Sequence, residues 1–356
     1  MEYLYQISGI SRQGFYKAQL KSTQDHQMWQ RMLEMVYEIR KDYPRMSARK
    51  IHYMLGINEV GINKFERFVS TQGLSVQKHR SFLRTTHKGM VSYPNLTHGL
   101  LINGINQLWV SDITFFLTRS STYYLVFILD VYSQRIIGRS VNDNMFAVNN
   151  VQALEMALRS RGYKKYDYKL IHHSDKGSQY GSKEYTGVLE KFEIGISMAE
   201  NCLENPYAER INGIIKNDYL IKKKISSLHD LKREVATSVD LYNNCPNGSL
   251  GMLSPVDFEL VVNQTPESEK PKLQLFDFNK TREENAKMGF FRHKTMRITP
   301  NKKAVALNDK TTAGDSPGSD YSLESCPPAE LSSASSNHTK LNAFNKKEKL
   351  SYKQLK

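Results

Sequence analysis

The sequence predicts a mixed α/β core preceded by an all-α region. The hydrophobic period changes at residue 107: before it, apolar residues recur at helical spacing, and after it come alternating and continuous apolar runs. Those later segments follow the order β-β-β-α-β-α-β-α, which calls for one mixed sheet with helices on its faces. Within them, TYYLVFILDVYS is almost unbroken in apolar character, as expected of a central strand buried on both sides.

Residues 1–22, MEYLYQISGISRQGFYKAQLKS, read as two short helices around Gly9, with Ser11 capping the second. A further helix over 25–41 carries Trp29, Met32, Leu33 and Val36 at i, i+3, i+4 and i+7, and Pro44 ends it. MSARKIHYML and INKFERFVSTQG are two more helices, joined by the turn GINEVG. Short helices, a tight turn and basic exposed faces suit a helix-turn-helix unit over residues 1–75. A helical bundle with no DNA role has the same pattern. Residues 76–106 are basic and turn-rich, either a linker tracking a phosphate backbone or a solvated connector.

From residue 107, QLWVSDITFFLT alternates, with Val110, Asp112, Thr114 and Phe116 on one face. RIIGRSV is a third strand, and the short turns allow an antiparallel meander. Residues 148–160 form a helix with a stripe of Val148, Val151, Leu154 and Leu158. YKLIHHSD is a fourth strand ending at Asp175, SKEYTGVLEKF a helix, and IGISMA a fifth strand. Asn205 is a good cap and Pro206 a good first residue for a helix through YAERINGIIKNDYL. A last helix over 228–243 has Leu228, Leu231, Val235 and Val239 on one face. The core is thus expected over 107–262, with this C-terminal helix included. A largely disordered tail is expected over 263–356, because residues 301–356 hold few large apolar groups.

The 356 residues carry 50 Lys+Arg and 36 Asp+Glu, a formal net charge of +14. Residues 1–100 hold 15 Lys+Arg against 7 Asp+Glu, a net of +8. Such an excess favours a polyanionic partner, since each cation laid on a phosphate releases counterions. Arg12, Arg45, Arg49, Lys50, Lys64 and Arg67 are the candidate contacts to double-stranded DNA. Cys202, Cys245 and Cys326 are too far apart to indicate a zinc ribbon or disulfide scaffold. No apolar run approaches the ~18–20 residues that span a bilayer, so no membrane partner is expected.

Three acids stand out: Asp112 within the first strand of the core, Asp175 at the end of the fourth, and Glu209 one turn into the third helix. The topology makes the two strands neighbours and lays the helix across them. Converging carboxylates repel, and an oxygen-only donor set suits Mg²⁺ or Mn²⁺. Two such ions clamp both oxygens of an in-line phosphoryl displacement. Lys216, two turns beyond Glu209, is placed to touch a DNA phosphate. Each acid also has an ordinary reading, as a hydrogen-bonded strand residue, a turn cap or a helix-dipole partner. Asp130, Asp143, Glu200 and Glu204 are rivals. His172 and His173 face opposite sides of their strand, where packing or hydrogen bonding is favoured over ligation.

WVSDITFF, HHSDKGSQY, NPYAERINGIIKNDY and YNN…SLGMLSP occur in that order, and together they resemble transposases of the insertion-sequence-three family. The resemblance is to the OrfB-type polypeptide with a retroviral-integrase-like core, and it runs over about 7–258. It implies a ribonuclease-H-like fold and a catalytic, metal-binding triad of Asp112, Asp175 and Glu209, with Lys216 as the basic residue beyond. It further implies hydrolysis of a phosphodiester at an element end and attack of the freed 3′-hydroxyl on a second strand. A homo-oligomer on DNA, an upstream helix-turn-helix and leucine-zipper polypeptide, and a cytoplasmic, nucleoid-associated location in a bacterial-type cell follow as expectations. The chain departs from the family pattern in places: SMAENC lacks a basic residue, and YNNCPNGSLG lacks an Arg and a His. The rival expectations are a metal-dependent nuclease without strand joining and a DNA-binding protein with an inert core.

Overall fold

Ser11 caps the first described helix, its side chain accepting from the Gly14 N–H at 3.1 Å. This helix, α1 (Arg12–Asp42), runs unbroken for 31 residues, where the sequence reading had two helices meeting near residue 24. No Gly or Pro lies in the stretch that joins them, and Thr23 bonds back to the Gln19 carbonyl without leaving the helix. The computed structural model describes residues 11–76, 91–118, 121–162, 169–277, 279–280 and 284, all within one unit, Met1–Arg297. The helix expected before Gly9, much of the basic linker and most of the expected tail lie outside the described residues.

Helices α2 (Ala48–Leu55) and α3 (Ile62–Thr71) follow as a short pair. Gly56 ends α2 in the left-handed region (φ 59°), which glycine enters without steric cost. Met32, Val36 and Ile39 of α1 pack on Ile51, Phe65 and Val69, and Trp29 stacks on Phe68 at 4.2 Å. Cys245, from far along the chain, joins this cluster.

The central sheet has the order β4-β3-β2-β5-β6. Strands β2 (Leu108–Leu117), β3 (Thr122–Asp130) and β4 (Arg135–Asn142) form the expected antiparallel meander. Strands β5 (Ile171–Ser174) and β6 (Gly195–Met198) add on in parallel. A separate short strand, β1 (Leu101–Ile102), pairs with β7 (Leu273–Gln274). Regular structure therefore enters the segment expected as a linker and continues past residue 263.

Helices α4 (Ala147–Ser160) and α5 (Lys183–Lys191) cover one face of the sheet. Helices α6 (Pro206–Ile214), α7 (Leu228–Asn243) and α8 (Pro255–Gln264) lie with the cluster on the other. Helix α8 is additional to the elements the sequence predicts; Ser254 caps it and Pro255 opens it. The buried stripe of α4 is also rotated from expectation. It runs through Ala153, Leu154, Ala157 and Leu158, and Val148 is exposed. Gly138 explains the rotation: a Cβ there would stand 2.2 Å from the Ala153 carbonyl, so α4 lies against bare backbone through its smallest residues.

A charged knot ties the ends of these elements together. Arg161 donates to Glu259 through two bonds, at 2.5 and 3.0 Å, and to Asp130 at 3.4 Å. Arg135 reaches Glu259 at 2.5 Å. Asp130 is fully buried and accepts the backbone N–H groups of Asn106, Tyr132 and Ser133. It is a structural acid, which removes it as a rival for the site.

Candidate active site

The parallel pairing of β2 with β5 sets Val110 opposite His173. Two residues further along lie Asp112 and Asp175, the latter just past the strand end, so both carboxylates belong to the face that α6 crosses. Ala208 and Ile211 of α6, with Ile215 just beyond it, bury the inner stripe as the spacing predicts. The next face over carries Glu209, Asn212 and Lys216. Asn205 occupies the N-cap position as expected, but its side chain makes no cap bond and donates its amide to the Ser111 carbonyl at 2.9 Å. That bond fastens the start of α6 to the strand bearing Asp112.

The three acids share an electrostatic field. Burial raises the Asp112 carboxyl to about 7, and Asp175 and Glu209 each push it further in that direction. Asn212 opposes the rise by donating to Asp112 Oδ2 at 2.9 Å. The Glu209 carboxyl is also raised by desolvation. Asp175 Oδ1 accepts the Gly177 N–H at 3.2 Å, and a Cβ at Gly177 would stand 3.0 Å from that oxygen, so the turn is shaped to the carboxylate.

Beyond Ile214 the helix widens into a π turn over Ile215–Leu220. Such turns interrupt the α register and often mark functional positions. This one holds Lys216, whose Nζ donates to Thr114 Oγ1 at 2.6 Å and lies 5.2 Å from the centre of the Phe115 ring. Burial lowers the Lys216 ammonium and Asp112 supports it. The sequence showed that Lys216 and Asn212 share a face. It did not show that they reach Thr114 and Asp112.

Among the described residues no group of three or more His, Cys, Asp or Glu side chains is already gathered as a metal cage. The trio nonetheless fits a hard divalent cation in donor chemistry. It offers oxygen only, and charge on Asp112 is opposed by two further carboxylates, a pattern that a cation relieves. The histidines are occupied as expected. His172 bonds the Tyr185 hydroxyl at 2.9 Å, and His173 bonds Ser197 Oγ at 2.8 Å and the Glu204 carbonyl at 3.2 Å. Burial lowers them to about 3 and about 4, so both are neutral. Glu204 is buried under Asn95, Asn201 and the Glu200 N–H, and it holds the loop ahead of α6.

The basic candidates separate into two groups. Lys64 and Arg67 are exposed on α3, and Lys64 lies 5.5 Å from the Trp29 ring centre. Arg12 is exposed at the far end of α1, 5.9 Å from the Tyr16 ring centre. Arg49 grips Glu66 at 2.6 and 3.1 Å while half its side chain stays open. Lys50 lines a cavity of about 240 Å³ between α2 and the π turn. Arg45 turns inward, donating to the Asn217 carbonyl at 3.1 Å and lying 3.5 Å from Asp218. It fastens the helical region to the core rather than presenting a free cation.

Two models of the integrase core domain match the chain, over residues 103–201 and 191–255. The Escherichia coli (strain K12) transposase InsF for insertion sequence IS3fB is 30% identical over 195 residues, covering 53% of this chain and 67% of that protein. The Shigella sonnei transposase for insertion sequence element IS629 is 31% identical over 182 residues, 50% of this chain and 60% of that protein. The insertion element IS600 uncharacterized 31 kDa protein of Shigella sonnei is 28% identical over 270 residues, 73% of this chain and 98% of that protein. A solved HTLV-2 integrase catalytic core domain in complex with magnesium aligns over 44% of this chain and 97% of that chain, at 19% identity and a TM-score of 0.36. The fold is that of an integrase-type catalytic core, the class of DDE polynucleotidyl transferases. The chain belongs to the IS3 family of transposases.

Proposed function

We propose that Asp112, Asp175 and Glu209 are the catalytic carboxylates and that the protein cuts and rejoins DNA at the ends of an insertion element. One observation carries this reading: Asp175, just past a neighbouring strand, and Glu209, on the crossing helix, both act on the buried Asp112 carboxyl and raise it. These carboxylates would hold two Mg²⁺ or Mn²⁺ ions, which would supply Lewis-acid stabilisation of charge on the scissile phosphate. Asn212 fixes the orientation of Asp112, and Lys216, steadied on Thr114, places a positive charge beside the reacting phosphate. Water attacks the scissile phosphorus and the 3′ oxygen leaves as a hydroxyl; that 3′-hydroxyl then attacks a phosphodiester of a second strand, whose own 3′ oxygen leaves as a hydroxyl. Arg12, Arg49, Lys50, Lys64 and Arg67 hold duplex phosphates, and the working form is a homo-oligomer on DNA with the upstream helix-turn-helix polypeptide as a further partner. Chromosomal DNA as substrate places the protein in the cytoplasm at the nucleoid. No helix among the described residues is long and apolar enough to cross a membrane.

The test is incubation of the protein with Mg²⁺ and duplexes carrying the element's ends. Nicks at 3′ ends together with joined strands are expected. Nicks without joined strands would leave a nuclease, and binding without either would leave an inert core.

Salt dependence tests the DNA contacts. Log K against log[salt] falls with a slope of roughly −0.9 per phosphate neutralised. With about five contacts, affinity drops on the order of a thousandfold between 50 and 200 mM salt. A flat titration would remove the electrostatic basis of binding.

The metal-free protein has a pH signature. The Asp112 carboxyl rises from 3.8 to about 7 on folding. The unfolded chain therefore releases this proton first, and stability falls as pH climbs through that window. Asp112→Asn removes the decline. It is expected to melt like the parent near pH 3.5 and to be more stable near pH 8, by up to a few kcal/mol. Equal melting curves near pH 8, in chelator, would count against the crowded acid field.

A further inference from the structure

Phe146 is the most exposed aromatic residue among the described residues, 68% open, and it sits on a braced turn. Its N–H donates to Asn144 Oδ1 at 3.2 Å, and its carbonyl accepts the Asn149 N–H at 3.0 Å. The Asn149 side chain closes the turn by donating to the Asn144 carbonyl and to Asn144 Oδ1, at 2.8 and 2.9 Å. The backbone is thus held while the ring is left in solvent. Packing does not require this, because α4 buries Ala153, Leu154, Ala157 and Leu158 and shows Val148 to solvent as well.

The turn is joined to the catalytic loop. Gln179 Nε2 donates to the carbonyl of Met145, the residue before Phe146, at 3.1 Å. Gln179 lies in the tight turn that begins with Asp175 and its Gly177 contact. A rigidly based ring therefore stands one hydrogen bond away from the loop of a catalytic carboxylate.

We propose that Phe146 is a stacking platform for one unpaired base of the DNA end, next to the phosphate on which the carboxylates act. This rests on the transposase reading above and names a contact of that same site. A single ring is too small for a protein docking patch, whereas one base presents a matching π face. Opening the terminal base pairs costs stacking energy, and an aromatic side chain that receives a freed base offsets it. The net +8 of residues 1–100 holds the polyanion on the protein, and Phe146 then favours its frayed form.

The test measures binding in chelator, so no cleavage is needed. Two duplexes of the element's end sequence are compared by fluorescence anisotropy, one fully paired and one with two unpaired bases beside the cleavage position. The parent is expected to bind the frayed duplex about tenfold more tightly. Phe146→Ala loses that preference and keeps its affinity for the paired duplex, whereas Phe146→Trp retains both. A parent without preference, an Ala variant that keeps it, or an Ala variant weakened equally on both duplexes would overturn the proposal. Failure of the parent to cleave in Mg²⁺ counts against the catalytic reading and leaves this binding result standing.

Discussion

Asp175→Asn lowers strand cleavage by about a thousandfold or more, because removing a fixed charge at the point of transition-state stabilisation costs that order of rate. The fold survives, since asparagine keeps the shape and its oxygen still accepts the Gly177 N–H. Duplex affinity also survives, since the cations on α1, α2 and α3 do not depend on Asp175. Single-turnover cleavage at saturating protein measures the loss, with melting temperature as the control. Glu209→Gln behaves alike. Glu204→Gln, the nearest rival by sequence, is expected to differ in kind. Glu204 takes donors from Asn95, Asn201 and Glu200 on its two buried oxygens, and a glutamine amide cannot accept them all. That variant loses stability first and cuts whenever it is folded. If Asp175→Asn cleaves like the parent, the triad assignment is wrong.

Arg161→Ala destabilises the protein by about 3–5 kcal/mol, the usual cost of stripping one partner from a buried ionic network. Arg161 is 9% exposed and supplies donors to two acids, Asp130 at 0% and Glu259 at 6%. Burial already lifts the Asp130 carboxyl to about 6 even with the guanidinium beside it. Without Arg161 that acid must take up a proton or sit charged in the interior, and α8 loses its hold on the end of α4. The shift in denaturant midpoint reads the cost. A loss below about 1 kcal/mol would mean that the network is solvated and idle.

The core was legible because its signals are local. Alternation in QLWVSDITFFLT and the apolar run TYYLVFILDVYS lie where β2 and β3 form, and Ala208, Ile211 and Ile215 repeat at the spacing that α6 buries. The three acids were legible for a related reason. A charge within or just beyond an apolar strand is costly unless something receives it, which sets Asp112 and Asp175 apart in the sequence itself.

Other features had no local signal. The continuity of α1 depended on the absence of a breaker, and polar residues such as Ser22 and Thr23 are ambiguous between turn and helix. The rotated stripe of α4 depended on Gly138, a residue on a different element. Arg45 reads in sequence as one more surface cation, and its partners Asn217 and Asp218 lie some 170 residues away.

The sequence alone thus determined the strand and helix order, the basic N-terminal region and which carboxylates were candidates, since these follow from period, charge and spacing along the chain. Tertiary structure decided that Asp130 is held by an arginine and backbone donors, that the Asn205 side chain at the start of α6 clamps a strand, and that Asn212 and Lys216 reach Asp112 and Thr114. The physical reason is that partner choice and desolvation depend on distance in space. Both acids on β2 and β3 look alike in sequence, but only one was given an arginine and three backbone donors, and the other was given two more carboxylates.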